Sequence, residues 1–185
     1  MFATYLELGF DHILDLQGYD HIAFVIALCA AFNPKAWKRL LWLITAFTLG
    51  HSITLAMAAL EIYAPPREII EFIIPITILL TAISNMYFIQ QPNPRFSIGL
   101  ATAFGFIHGW GFSNYFRETS MGGDTWEVVL QLLAFNLGVE LGQILIIGFF
   151  LLVTSIVISV LRWSLHNWQI FASGIAAGIA ITLIL

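Results

Sequence analysis

Polar and apolar positions alternate at helical spacing from the start of the chain. Glu7, Asp11 and Asp15 fall at i, i+4 and i+8, while Phe2, Leu6, Phe10, Ile13 and Leu14 take the other side. That pattern predicts a short amphipathic helix over residues 1–16, lying at a membrane interface. Six apolar stretches follow, at about 18–33, 40–62, 69–89, 97–116, 128–160 and 168–185. Asn33-Pro34-Lys35, Pro65-Pro66-Arg67 and Gln91-Pro92-Asn93-Pro94-Arg95 separate them, since proline and asparagine interrupt helical runs. The expected fold is an all-α integral membrane protein: one domain over 1–185, a six-transmembrane-helix bundle with a short N-terminal interfacial helix. The first stretch is short for a hydrocarbon core ~30 Å thick. The fifth is about a dozen residues longer than a span needs, so it is expected to tilt, bend or protrude.

Composition supports the same class. The chain is 59% hydrophobic and 10% charged, against roughly 25% charged in soluble domains. Lipid can solvate the outer faces of such helices, whereas a soluble fold of this length could not hide them. The net charge of -4 is small and unevenly placed, so nucleic acid is not an expected partner. The one cysteine, Cys29, sits in the run Ala27-Leu28-Cys29-Ala30-Ala31 and reads as a small apolar helix residue. No cleavable signal peptide is expected, because the first stretch is acidic where a signal is basic.

Charge also suggests an orientation. Lys35, Lys38, Arg39, Arg95 and Arg162 fall between successive stretches on one side, leaving Arg67 and Arg117 on the other. By the positive-inside tendency both termini lie outside. Glu7, Asp11, Asp15, Glu61, Glu68, Glu118, Asp124 and Glu127 all fall at outer ends or in outer loops, giving an acidic outer face that would gather cations.

Ionisable groups inside apolar segments cost a few kcal/mol each, so each requires a reason. Asp20 and His21 open the first stretch, His51 lies midway along the second, and Glu71 opens the third. His108 lies within the fourth and Glu140 about a dozen residues into the fifth. At ~1.5 Å per residue they occupy one slab of the membrane, where they must face inward. His108 lies between Gly105 and Gly109, and Glu140 between Gly138 and Gly142, patterns that allow close helix approach. Asn136, Glu140 and Gln143 share one helix face, as do Thr48, His51 and Ser52, and such neighbours orient histidines and carboxylates. Imidazole with carboxylate is ligand chemistry for zinc, nickel, cobalt or iron. The candidate ligands are therefore His21, His51, His108, Asp20 and Glu140, with His12 and Glu71 at the outer margin. Ser52, Thr48, Asn136 and Gln143 are candidate supporting groups. His166, in an inner loop, reads as a surface residue.

Catalytic signatures such as His-Glu-x-x-His and Gly-x-Ser-x-Gly are absent. Ser52 beside His51 does not make a nucleophile pair, because adjacent helix residues do not face each other.

The segments Gly9-Phe10-Asp11-His12-Ile13, Gly18-Tyr19-Asp20-His21, Phe47-Thr48-Leu49-Gly50-His51-Ser52-Ile53-Thr54-Leu55, Phe104-Gly105-Phe106-Ile107-His108-Gly109-Trp110-Gly111-Phe112-Ser113 and Phe135-Asn136-Leu137-Gly138-Val139-Glu140-Leu141-Gly142-Gln143 carry a resemblance. In this order, they resemble the HupE/UreJ family of hydrogenase and urease accessory membrane proteins. The resemblance implies a six-helix bacterial inner-membrane protein that moves nickel or cobalt toward metalloenzymes. It also implies function at His21, Asp20, His51, His108 and Glu140. Leu14-Asp15 stands where the hydrogenase-linked branch has a His-Pro pair, which leaves the metal's identity open.

Three readings follow. The first is a divalent transition-metal permease, with its outer face gathering ions and His51, His108 and Glu140 forming a transient site. The second is an intramembrane zinc-type hydrolase acting on a lipid or membrane peptide, with Glu140 or Asp20 as general base. The third is a metal-binding accessory or sensor subunit. Expected partners are membrane lipid and the metal ion, with a homo-oligomer or metalloenzyme-maturation proteins as further options.

Overall fold

Apolar runs punctuated by proline and asparagine become helices, and the punctuation supplies their starts. The computed structural model describes residues 1–16, 18–87, 93–119 and 125–185, with side chains throughout except at 114, 115 and 117–119. Gln91 and Pro92 of one expected break, the end of the third expected span, Asp124, and the side chains of Arg117 and Glu118 lie outside the described residues. Within them the elements are α1 (Phe2–Leu14), α2 (Asp20–Ala30), a 3-10 turn (Pro34–Ala36), α3 (Trp37–Ala59), α4 (Arg67–Tyr87), α5 (Pro94–Thr119), α6 (Thr125–Ser159) and α7 (Leu165–Ile184). The Asn33 side chain accepts from the Lys35 N–H at 2.9 Å, Asn93 from Arg95 at 3.0 Å and Ser164 from Asn167 at 3.1 Å. Each satisfies an otherwise unbonded donor at a helix start.

Among the described residues, four helical segments are long and apolar enough to cross a membrane: 34–59, α4, α6 and α7. The expectation was six. α2 is apolar but only 11 residues long, about 16 Å at 1.5 Å per residue. It begins at Asp20, and the chain turns away at Ala31–Asn33, so the expected first span of 18–33 is a half-length helix.

Contacts fix the directions. α3 and α5 run parallel: a Cβ on Gly105 would overlap the Phe47 carbonyl, one on Gly50 the Thr102 carbonyl, and one on Gly109 the His51 carbonyl and Thr54 hydroxyl. α1 and α6 also run parallel. Gly9 lies against the Phe135 carbonyl, Gly138 against the Leu6 carbonyl, and Gly142 against Ile13. The first helix was expected to lie at a membrane interface. Instead it stands lengthwise along α6 with Tyr5, Gly9 and Ile13 buried, while Glu7, Asp11 and Asp15 are exposed. The acidic stripe is that of an amphipathic helix, but glycine on both partners lets its apolar side meet another helix at backbone distance.

α2 packs on α7, α4 and α6 and only lightly on α1. It runs opposite to α5, with His21 beside His108 and Phe24 beside Phe104. The Asn85 amide donates to the Ala27 carbonyl at 2.6 Å, and the Gln169 amide to the Asn85 carbonyl at 2.9 Å, tying α2, α4 and α7 at the far end. α1 and α2 thus run the same way, one after the other, displaced sideways.

Placing a methyl group at a backbone crossing should be costly. Gly105→Ala is expected to destabilise by about 1–3 kcal/mol, the range for overpacking. Gly148→Ala, where nothing lies within 4 Å, should be neutral within error. Thermal melts of the two variants in one detergent decide it; equal melting temperatures would contradict the crossing.

Candidate functional site

Four histidines meet where α1 ends, α2 begins, and α3 and α5 cross. His12 and His21 have ring centroids 4.4 Å apart, His21 and His108 5.8 Å, and His12 and His51 6.5 Å. His51 and His108 are wholly buried, and His21 is buried. Their position follows from the crossing: each glycine that lets α3 and α5 touch is next to, or within three residues of, a histidine.

The hydrogen bonds of these rings share one pattern. His21 Nδ1 lies 3.0 Å from Asp20 Oδ1, His51 Nδ1 3.3 Å from Asn136 Oδ1, and His108 Nδ1 2.9 Å from the Phe104 carbonyl. The partners are a carboxylate, an amide oxygen and a backbone carbonyl. The Asn136 amide nitrogen is itself engaged by the Leu132 carbonyl at 2.8 Å, which turns its oxygen to His51. Acceptors at Nδ1 place the ring hydrogen there and leave Nε2 with its lone pair. The Nε2 atoms of His12, His21, His51 and His108 are all buried with no hydrogen-bond partner among the described residues. Buried polar atoms are almost always satisfied, so four such orphans in one cluster ask for a ligand. An Nδ1–H held by an oxygen with Nε2 free is how metal-binding histidines are oriented.

As the side chains stand, no three His, Cys, Asp or Glu groups among the described residues are placed to hold one ion. The His12–His21 and His21–His108 rings meet edge to face, at 69° and 65°. Phenylalanines frame them. Phe112 lies 3.8 Å from His12, Phe24 4.9 Å and Phe47 5.2 Å from His108, and Phe135 stacks on His51 at 17°. This aromatic frame escaped the sequence reading, although Phe47, Phe104 and Phe135 open the very segments that carry the histidines.

Of the expected site residues, the structure brings together His12, His21, His51, His108 and Asp20. Glu140 lies elsewhere: it is half-buried between α6 and α3, where its Oε1 accepts from the Thr45 hydroxyl. Asn136 touches a histidine directly. Thr48 donates to Gln143 Oε1 at 3.0 Å, and Ser52 to the Thr48 carbonyl at 2.6 Å, so these three tie α3 to α6 and to itself. His166 is exposed at the start of α7.

Because α2 starts deep in the bundle, the space above it is open. A cavity of about 1080 Å³ occupies it, with Asp20, His21 and His108 at the base. α1 contributes Asp11 and His12 to its wall, its C-cap contributes Asp15, and α4 contributes Arg67, Glu71 and Pro75. Glu71, expected near the site, is at this wall and exposed, paired with Arg67 Nε at 2.6 Å. Pro75 has no N–H to return to the Glu71 carbonyl one turn earlier, which leaves that oxygen unbonded within the helix.

A family model described as HupE / UreJ protein matches residues 1–185. No curated protein and no solved structure matches the chain significantly.

The tautomers are testable. In neutral His51 and His108 the hydrogen is expected on Nδ1, and long-range nitrogen–proton NMR correlations of histidine-labelled protein should report it. Nε2–H rings at both positions would remove the free lone pairs.

Proposed function

We propose that this chain, which belongs to the HupE/UreJ family, carries a divalent transition-metal ion across a bilayer by way of His12, His21, His51, His108 and Asp20. Family membership supports a nickel- or cobalt-related accessory or transport role at a membrane. The observation that carries the rest is the set of four buried Nε2 atoms without partners, on four different helices. Metal–imidazole bonds of about 2.0–2.1 Å would require the rings to rotate from their edge-to-face packing. That need suits an ion which must leave as well as enter, since transport depends on exchangeable binding.

In this reading residues 1–185 are one membrane domain of six crossings. α1 and α2 together supply the first, at about 20 Å and 16 Å of rise, and α3 to α7 supply the others. Lys35, Lys38, Arg39, Arg95 and Arg162 mark the cytoplasmic end of an inner-membrane protein, with both termini outside. The cavity then opens outward, and Asp11, Asp15 and Glu71 draw cations to it.

The hydrolase alternative has less support. It needs a free carboxylate beside the metal as general base. Glu140 is bonded to Thr45 away from the histidines, and Asp20 is engaged by His21.

Nickel binding to the full chain in nanodiscs tests the assignment. His51→Ala and His108→Ala should each weaken binding at least 100-fold without lowering the melting temperature by more than a few degrees. Asn136→Ala should cost about tenfold, as groups that orient a metal-binding histidine do. Glu140→Gln should stay within twofold. Full metal occupancy in both histidine variants would sink the proposal, and liposomes loaded with a nickel-sensitive dye would then show whether bound metal is also moved.

A further inference from the structure

The cavity is much larger than its proposed cargo. A divalent ion with six waters fills roughly 200 Å³, taking each water as about 30 Å³ of liquid. The space above α2 is about 1080 Å³, the size of a site for an organic molecule. Nor is it built only for an ion. Alongside the carboxylates of Asp11, Asp15, Asp20 and Glu71, its walls present Leu8, Leu14, Ile74, Phe112 and Leu183. A bare hydrated cation gains nothing from such surfaces, whereas the carbon skeleton of an organic ligand does.

From these features we infer that the metal enters this cavity as a chelate, still carrying a small organic ligand of amine or imidazole type. The inference rests on the metal-carrying reading above and adds the chemical form of the cargo. Charge selects among chelates. Four carboxylates face one guanidinium, that of Arg67, and Arg67 is already paired with Glu71. The wall therefore disfavours complexes made anionic by polycarboxylates and accepts neutral or cationic ones. The imidazole edges of His21 and His108 reach the base of the cavity, with His108 fully buried and its Nε2 unpartnered. They meet the metal from one side while the organic ligand holds it from the other, against the apolar wall.

Doubly labelled complexes test this on the full chain in nanodiscs. The probes are nickel as the aqua ion, as the neutral bis-histidine complex and as the anionic citrate complex. The expected result is that labelled histidine is retained with the nickel, at one or more per chain, and that the bis-histidine complex binds at least tenfold more tightly than the citrate complex. Leu183→Phe and Leu183→Trp, at a cavity position on α7, which carries none of the four clustered histidines, should each weaken the bis-histidine complex, the larger side chain at least fivefold, and leave the aqua ion within twofold. Nickel bound without labelled histidine, or filling variants that affect both forms equally, would overturn the inference and leave the metal site standing. Nickel bound in no form at all would overturn the metal reading beneath it, and this inference with it.

Discussion

Where α3 and α5 cross, Gly50, Gly105 and Gly109 leave no side chain between the two backbones, and the position of the histidines depends on that contact. With Cβ atoms in the way, the helices would separate and His51 and His108 would move apart with them. With glycine there, both rings lie in the same aromatic frame, and each meets an oxygen acceptor already fixed by its own helix or a neighbouring one. The Nε2 lone pairs are then left over. A packing contact between two backbones thereby positions two of the four unsatisfied nitrogens, and these nitrogens are the strongest chemical statement the molecule makes.

A second glycine crossing, Gly9 with Gly138, holds α1 against α6 and away from the axis of α2. This lateral displacement and the short length of α2 together open the cavity. Were α1 to continue straight into α2, as one uninterrupted helix, its side chains would fill that space and cover His21. The break between α1 and α2 therefore serves the site in two ways: it brings His12 and the Asp20–His21 pair to the same depth, and it leaves them a way in.

Much of this was legible in the sequence, because ionisable residues in apolar helices are rare and glycine spacing marks close approach. His21, His51, His108 and Asp20 stood out on those grounds, and Asn136 followed because it shares a helix face with Glu140 and Gln143. Glu140 had the same credentials, an acid in an apolar run between two glycines, yet it points toward Thr45. Helix rotation decides that, and Gly138 and Gly142 on the same helix meet α1, a partner the sequence did not suggest. α1 itself was read from its charged stripe. An exposed acidic side says nothing about whether the opposite side meets lipid headgroups or another helix. The cavity was not legible either, since it arises from where one helix begins relative to four others.

The short α2 has an electrical consequence. Water filling the cavity of a membrane-embedded bundle would carry the outside potential down to the histidines. The insulating layer beneath them is then about 16 Å of α2 and its neighbours, roughly half of a ~30 Å hydrocarbon core. A divalent ion crossing the whole membrane potential gains about 4.6 kcal/mol per 100 mV. Nearly all of that fall would be concentrated below His21 and His108. In the transport reading proposed above, a cytoplasm-negative potential would pull hardest on the ion at the step where it leaves the imidazoles.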